Sequence, residues 1–314
     1  SLSSLGKNDF FYYLCNPMKQ QTVKQAYTFE GRGLHTGKFS HMTICPAPEN
    51  FGIRFLREDV GVEIAATADK VSRTDRSTTI SEGEVAVVTI EHVLSALTGL
   101  GVDNALIKID NEEVPILDGS ASYYVKAIAP DGLLQQSAER KYIEIDKVIE
   151  IKDDQTGSWV KITPSDHMSF EVTVDFGSRV LGVQSASWDE GSDYVGQVAP
   201  CRTFCFFHEL EFLVSRGLVK GGDVENAIVI VEHPVTDEQV DNMCKLFNQP
   251  KLGVTPEGYL SNLVLHFPNE CGRHKLLDLI GDIRLCGGFL KAHVSAYKSG
   301  HKINSQAAAA VLNK

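Results

Sequence analysis

A strand-to-helix pattern occurs twice in this chain of 314 residues and leaves few folds open to it. In EHVLSALTGLGVDNALIKI (91–109) and again in RHKLLDLIGDIRLCGGFLKAHV (273–294), a histidine-led helical period breaks at glycine and returns to a strand. Before each of these stretches run short segments of alternating apolar and polar residues. QTVKQAYTFEG (21–31), SHMTICPAP (40–48) and FGIRFLRE (51–58) precede the first, and KYIEIDKVIEIK (141–152), WVKITPS (159–165) and SFEVTVDF (169–176) the second. A period of two gives a strand with one face to bury, and a period of 3.6 gives a helix with a stripe to bury. Each needs the other, so the expected class is α+β, with sheets covered by helices on one face. A pattern that recurs suggests two related halves with a site at their interface.

Val93, Leu94, Ala96, Leu97 and Leu100 share one face of the first helix, with Thr89 as its expected N-cap and Gly99 and Gly101 as its stop. DGSASYYVKAIA (118–129) and INSQAAAAVLNK (303–314) read as further helices, ENAIVIVE (225–232) as a strand and residues 201–222 as a mixed insertion. The polar, turn-rich stretch APDGLLQQSAERK (129–141) is the expected boundary, giving one domain over 18–136 and a second over 137–314. Residues 1–17 precede a natural-looking start at Met18, read as an extension, and receive no function.

Composition excludes some classes of partner. The net charge of −11, without any block of Lys and Arg, argues against a general grip on nucleic acid. No apolar run reaches the roughly 18–20 residues of a membrane span, and the N-terminal residues lack the parts of a signal peptide. Seven cysteines, an odd number with no CxxC pair, fit free thiols in a reducing cytoplasm.

His274 and Asp278 stand four apart on the second helix and therefore point the same way, with Asp282 one turn further. Imidazole and carboxylate suit zinc, and a catalytic zinc needs three protein ligands and one open position. His92 can be the third ligand, whereas the adjacent Glu91 points elsewhere and is free to act as a base. Taken alone, each of these also reads as a capping pair, a core histidine or a dipole-stabilising acid. His301, in a glycine turn within KSGH, is a candidate general acid, its imidazolium favoured by a carboxylate such as Asp282. In Arg202-Thr203-Phe204 the hydroxyl can bond an oxyanion and the ring can stack on a sugar. The GRGLHTG run (31–37) matches no phosphate-loop spacing and reads as a tight turn, with His35 structural or near the site. Against a metal hydrolase stands a protein with structural zinc, but such a site usually has four ligands and only three coherent ones are found.

Seven ordered stretches together resemble the UDP-3-O-acyl-N-acetylglucosamine deacetylase family of Gram-negative lipid A biosynthesis. They are GRGLHTG (31–37), TIEHVLSALTGLGVDNALIKID (89–110), EVPILDGSA (113–121), CRTF (201–204), SRGLVKGG (215–222), RHKLLDLIGD (273–282) and AYKSGH (296–301). The resemblance implies two similar two-layer sandwiches, each with an insertion, enclosing the site between them. It implies zinc on His92, His274 and Asp278, with Fe(II) also suited to these ligands. It further implies Glu91 as general base, His301 as general acid with Asp282 bonded to it, Thr203 on the oxyanion, Phe204 on the glucosamine and Lys275 on substrate beside the metal. Ser77 falls near the zinc where some members carry cysteine. Phe207, Leu210, Leu218 and Val219 fall on the passage for the acyl chain. The substrate implied is an acylated UDP-amino sugar, and the dehydratase fused in one branch is expected to lie outside this chain.

Overall fold

The computed structural model describes residues 18–215, 226–246 and 249–314. In the first half, five strands form a sheet in the order Tyr27–Arg32, Phe39–Pro46, Ala105–Ile109, Ile53–Arg57 and Val62–Ala65. The last strand in sequence, Ala105–Ile109, lies at the centre, antiparallel to Phe39–Pro46 and parallel to Ile53–Arg57. The second half repeats this order in Ile149–Asp153, Ser158–Pro164, Leu290–Tyr297, Ser169–Asp175 and Val183–Asp189, and adds a sixth short strand, Ile143–Glu144, parallel to the start of Leu290–Tyr297. Again the late strand, Leu290–Tyr297, is central, antiparallel to Ser158–Pro164 and parallel to Ser169–Asp175.

A parallel pairing requires a crossover, and helices supply it. The longer helices among the described residues are α1 (Glu91–Leu100), α2 (Ser122–Ile128), α3 (Phe207–Ser215), α4 (Asp237–Leu246), α5 (Glu270–Ile283) and α6 (His301–Leu312). Helix α1 leads into Ala105–Ile109 and α5 into Leu290–Tyr297. Along both central strands burial alternates residue by residue, the period of two read from the sequence. The chain is thus an α+β protein of two topologically equivalent halves.

The halves share one core. Helix α5 packs on Ser169–Asp175 and Val183–Asp189, α6 on Ile149–Asp153 and Ser158–Pro164, and α1 against α5. A single apolar cluster runs from Phe55, Ile107 and Leu94 through Ile280 to Phe170 and Val294. At the α1–α5 crossing, a Cβ on Gly281 would collide with the carbonyl of Glu91. Glycine there lets two backbones touch and draws the polar residues of both helices to one place.

Two insertions leave this frame. A three-stranded antiparallel sheet, Val71–Arg73, Thr79–Glu82 and Val85–Val88, precedes α1. Phe204–Phe206, paired in parallel with Ile228–Ile230, and α3 and α4 precede α5. The second insertion carries its own small core around Phe207, Leu210, Val229 and Met243.

Four local readings are corrected. Residues 129–141 are not a bare connector, because Leu133–Glu139 forms a strand antiparallel to Lys19–Val23, across the expected 136/137 boundary. Leu133–Glu139 is the outer strand of this ribbon, with no fully buried residue, and so carries no strong apolar period. Thr89 does not cap α1: its φ of 62° is left-handed, and its hydroxyl donates to Glu113. Gly99 lies inside α1 against the ring of Tyr194, and Gly101, with φ 85°, ends the helix. The closing helix begins at His301 itself, not two residues later.

Candidate active site

Helix α5 presents His274 and Asp278 on one face, as i and i+4, and α1 brings His92 opposite them. His274 Nε2 lies 3.4 Å and His92 Nε2 3.6 Å from Asp278 Oδ1. All three side chains are buried. Asp278 Oδ1 accepts no hydrogen bond from any described residue, although its partner oxygen takes one from Lys275 Nζ at 3.0 Å. An acceptor buried without a partner is costly, and two imidazole nitrogens converging on it make a donor set that a divalent cation would satisfy. The His274 ring is oriented for that use: its Nδ1 lies 3.0 Å from the carbonyl of Cys201, which leaves Nε2 facing inward. Burial lowers the pKa of His274 to about 4, so its ring is neutral and able to bind a cation. Burial disfavours charge on Asp278, yet positive charge beside it, from the His274 ring when protonated and from the Lys275 ammonium throughout, holds that carboxyl well below its ordinary range.

A second pair faces the first. Glu91 Oε1 lies 3.7 Å from His301 Nε2. Behind the histidine, Asp282 Oδ2 is 2.9 Å from His301 Nδ1 and accepts from Asn304 Nδ2 at 2.9 Å. Desolvation opposes the imidazolium, but Asp282 and Glu91 outweigh it and raise the His301 pKa to about 9. Burial pushes the Glu91 carboxyl up. One group is thus poised to release a proton and the other to take one, each through its surroundings. Glu91, Asp278 and His301 also bring three donor atoms within 4.8 Å of one another. His301 Nδ1 and one Glu91 oxygen are already engaged by Asp282 and Thr78, so His92, His274 and Asp278 are the better cation set.

Both groups open on one cavity of about 880 Å³. Ser77, Thr203, Phe204, Lys275 and Leu210, all singled out in the sequence, lie on its wall. Thr203 is held there by its N–H, which donates to the Gly119 carbonyl at 2.8 Å. The Lys275 ammonium sits 5.8 Å above the Phe204 ring, and that ring packs edge-on to His274. Asp282 is fully buried behind His301 and does not reach the cavity. Phe207, expected on the acyl passage, packs instead into the small core of the insertion. Leu218 and Val219 lie outside the described residues.

Other wall residues had little or no signal in the sequence. Arg73 and Arg76 are exposed at the wall, and His35 faces the cavity with a buried Nε2 that has no partner among the described residues. The GRGLHTG run begins as the end of the strand Tyr27–Arg32 and turns at Leu34–Thr36, and what fixes the turn is Glu113, whose carboxylate accepts the N–H groups of His35 and Thr36 and the Thr89 hydroxyl. A carboxylate 78 positions away from the turn it holds leaves no local pattern to read.

Two equivalent α+β halves that aim a candidate cation site and a Glu–His pair into one cavity define a protein with the makings of a hydrolase. The chain belongs to the UDP-3-O-acyl N-acetylglycosamine deacetylase family, whose sequence model matches residues 20–243 and 249–313. It is 42% identical to the bifunctional enzyme LpxC/FabZ of Porphyromonas gingivalis over 92% of this chain, and spans 63% of that relative's length. It is 38% identical to the UDP-3-O-acyl-N-acetylglucosamine deacetylase of Trichormus variabilis, covering 94% of this chain and 99% of the relative. The deacetylase of the same name from Cellvibrio japonicus is 36% identical, with 95% and 91% covered.

Proposed function

We propose that this protein hydrolyses the N-acetyl group of UDP-3-O-acyl-N-acetylglucosamine, in the cytoplasmic synthesis of lipid A, releasing acetate and UDP-3-O-acyl-glucosamine. The observation that carries this reading is the facing of Glu91 and His301 across 3.7 Å beside an unsatisfied Asp278 oxygen and two inward imidazoles. Zinc held by His92, His274 and Asp278 would supply Lewis acidity toward the amide carbonyl and lower the pKa of water. Iron(II) suits the same ligands.

Glu91 accepts a proton as water adds to the acetamido carbon. The Thr203 hydroxyl donates to the oxygen that gains charge, a contact worth most when it is fixed beforehand. His301, held protonated by Asp282, gives its proton to the departing nitrogen as the C–N bond breaks. Lys275 keeps Asp278 charged through their 3.0 Å bond and presents its ammonium to substrate above the Phe204 ring, where the glucosamine packs. Arg73 and Arg76 supply cations for a diphosphate. Leu210 and the apolar wall near it suit the acyl chain.

Acetate release from UDP-3-O-acyl-N-acetylglucosamine by the metal-replete protein tests the reading, with His274→Ala as control. Turnover is expected for the wild type and none for the variant. Equal turnover of the sugar without its 3-O-acyl chain would sink the substrate assignment. Turnover unchanged in His274→Ala would sink the metal site.

A further inference from the structure

We infer that Thr78 is a positioning residue that sets the general base and the general acid against each other; this rests on the deacetylase reading above. Thr78 is fully buried, in the loop between Val71–Arg73 and Thr79–Glu82. Each of its polar atoms is engaged. The backbone N–H donates to Glu91 Oε2 at 3.0 Å, and the hydroxyl donates to Asp282 Oδ1 at 2.5 Å. The carbonyl accepts from Ile90 N at 3.3 Å, at the start of α1.

These bonds close a ring. From Thr78 it runs to Glu91, across 3.7 Å to His301, along 2.9 Å to Asp282, and back to the Thr78 hydroxyl. The ring joins the two halves, since Thr78 and Asp282 are 204 positions apart. Two buried carboxylates flank one histidine, and each needs a donor for the oxygen the histidine does not face. Thr78 supplies both donors from one residue. It thereby fixes which Glu91 oxygen turns toward the reacting centre and how Asp282 aims the His301 ring. Valine at this position would keep the shape and the N–H contact to Glu91, and remove only the donor to Asp282.

Thr78→Val and Thr78→Ser separate this role from bulk packing. With Thr78→Val, kcat is expected to fall about 10–100-fold, the scale of a small misplacement of catalytic groups. KM and bound metal should stay within about twofold of wild type. Thr78→Ser should recover most of the rate. The downfield Nδ1 proton resonance of His301 should shift in the valine variant and return in the serine variant. Wild-type kcat together with an unmoved resonance in Thr78→Val would overturn the role. So would loss of the thermal unfolding transition in both Thr78→Val and Thr78→Ala, since Thr78 would then merely hold the fold. A wild-type protein inactive on the acetylated sugar, whose His301 resonance still responds to Thr78→Val, would remove the reaction and leave the ring.

Discussion

His301 illustrates how a single side chain acquires its chemistry from its neighbours. Burial alone would lower its pKa, but Asp282 on Nδ1 and Glu91 near Nε2 raise it to about 9, against an ordinary value of 6.5. A raised pKa means that the proton binds more tightly in the folded state. The contribution to stability is therefore complete below about pH 6.5 and is lost as pH rises through about 9. In the metal-free protein, the His301 ring resonances are expected to titrate near pH 9, and Asp282→Asn should move that midpoint down. A midpoint near 6.5 in the unmutated protein would show that Asp282 does not act on this ring. In the proposed reaction Glu91 and His301 divide the work of catalysis. Glu91→Gln or His301→Gln should each lower kcat by roughly 10²–10⁴-fold, the usual span for a lost general base or acid. Near-normal turnover in the metal-loaded Glu91→Gln variant would remove Glu91 from the role of base.

At the level of elements, the site depends on how closely α1 and α5 approach. Their contact is set by Gly281, where any side chain would meet the Glu91 carbonyl. Because the obstacle is backbone rather than the end of a flexible side chain, Gly281→Ala can fit only if the helices part. The expected cost is about 1–3 kcal/mol, as for other overpacked cores, with a loss of turnover larger than the loss of stability predicts. Equal Tm and equal turnover in Gly281→Ala would show that the crossing has slack. The helices themselves were legible in the sequence, because a period of 3.6 behind a histidine is a local signal. The i, i+4 spacing of His274 and Asp278 likewise predicted that both would share one face. Thr89 was not legible as what it is. Threonine before a helix is ordinarily a cap, and only the distant Glu113 carboxylate explains its left-handed backbone. The Leu133–Glu139 strand was missed for a related reason: it buries no residue fully, so alternation cannot mark it.

For the whole molecule, duplication of one sheet topology explains why the reactive groups meet. Each half carries a crossover helix into its central strand, and packing those two helices together places His92 of one beside His274 and Asp278 of the other. The echo between the two sequences conveyed that there were two similar halves. It could not convey that their helices face each other, since no pattern within either helix encodes its partner. Phe207 marks the same limit, because an apolar residue in an insertion reads alike on a passage wall and in a small core. The shared core has a thermodynamic consequence. One apolar cluster includes Phe55 and Ile107 from the first half with Phe170 and Val294 from the second, and His92, His274 and Asp278 are not members of it. Unfolding either half would expose the other's buried face, so calorimetry is expected to give a single endotherm. Chelation should abolish acetate release and leave the far-ultraviolet dichroism unchanged. Restoring metal at about 100 times its Kd should add roughly 2.7 kcal/mol of stability, read as a rise in Tm. Two resolved endotherms would mean that the halves are independent domains, and collapse of the dichroism on chelation would make the metal structural.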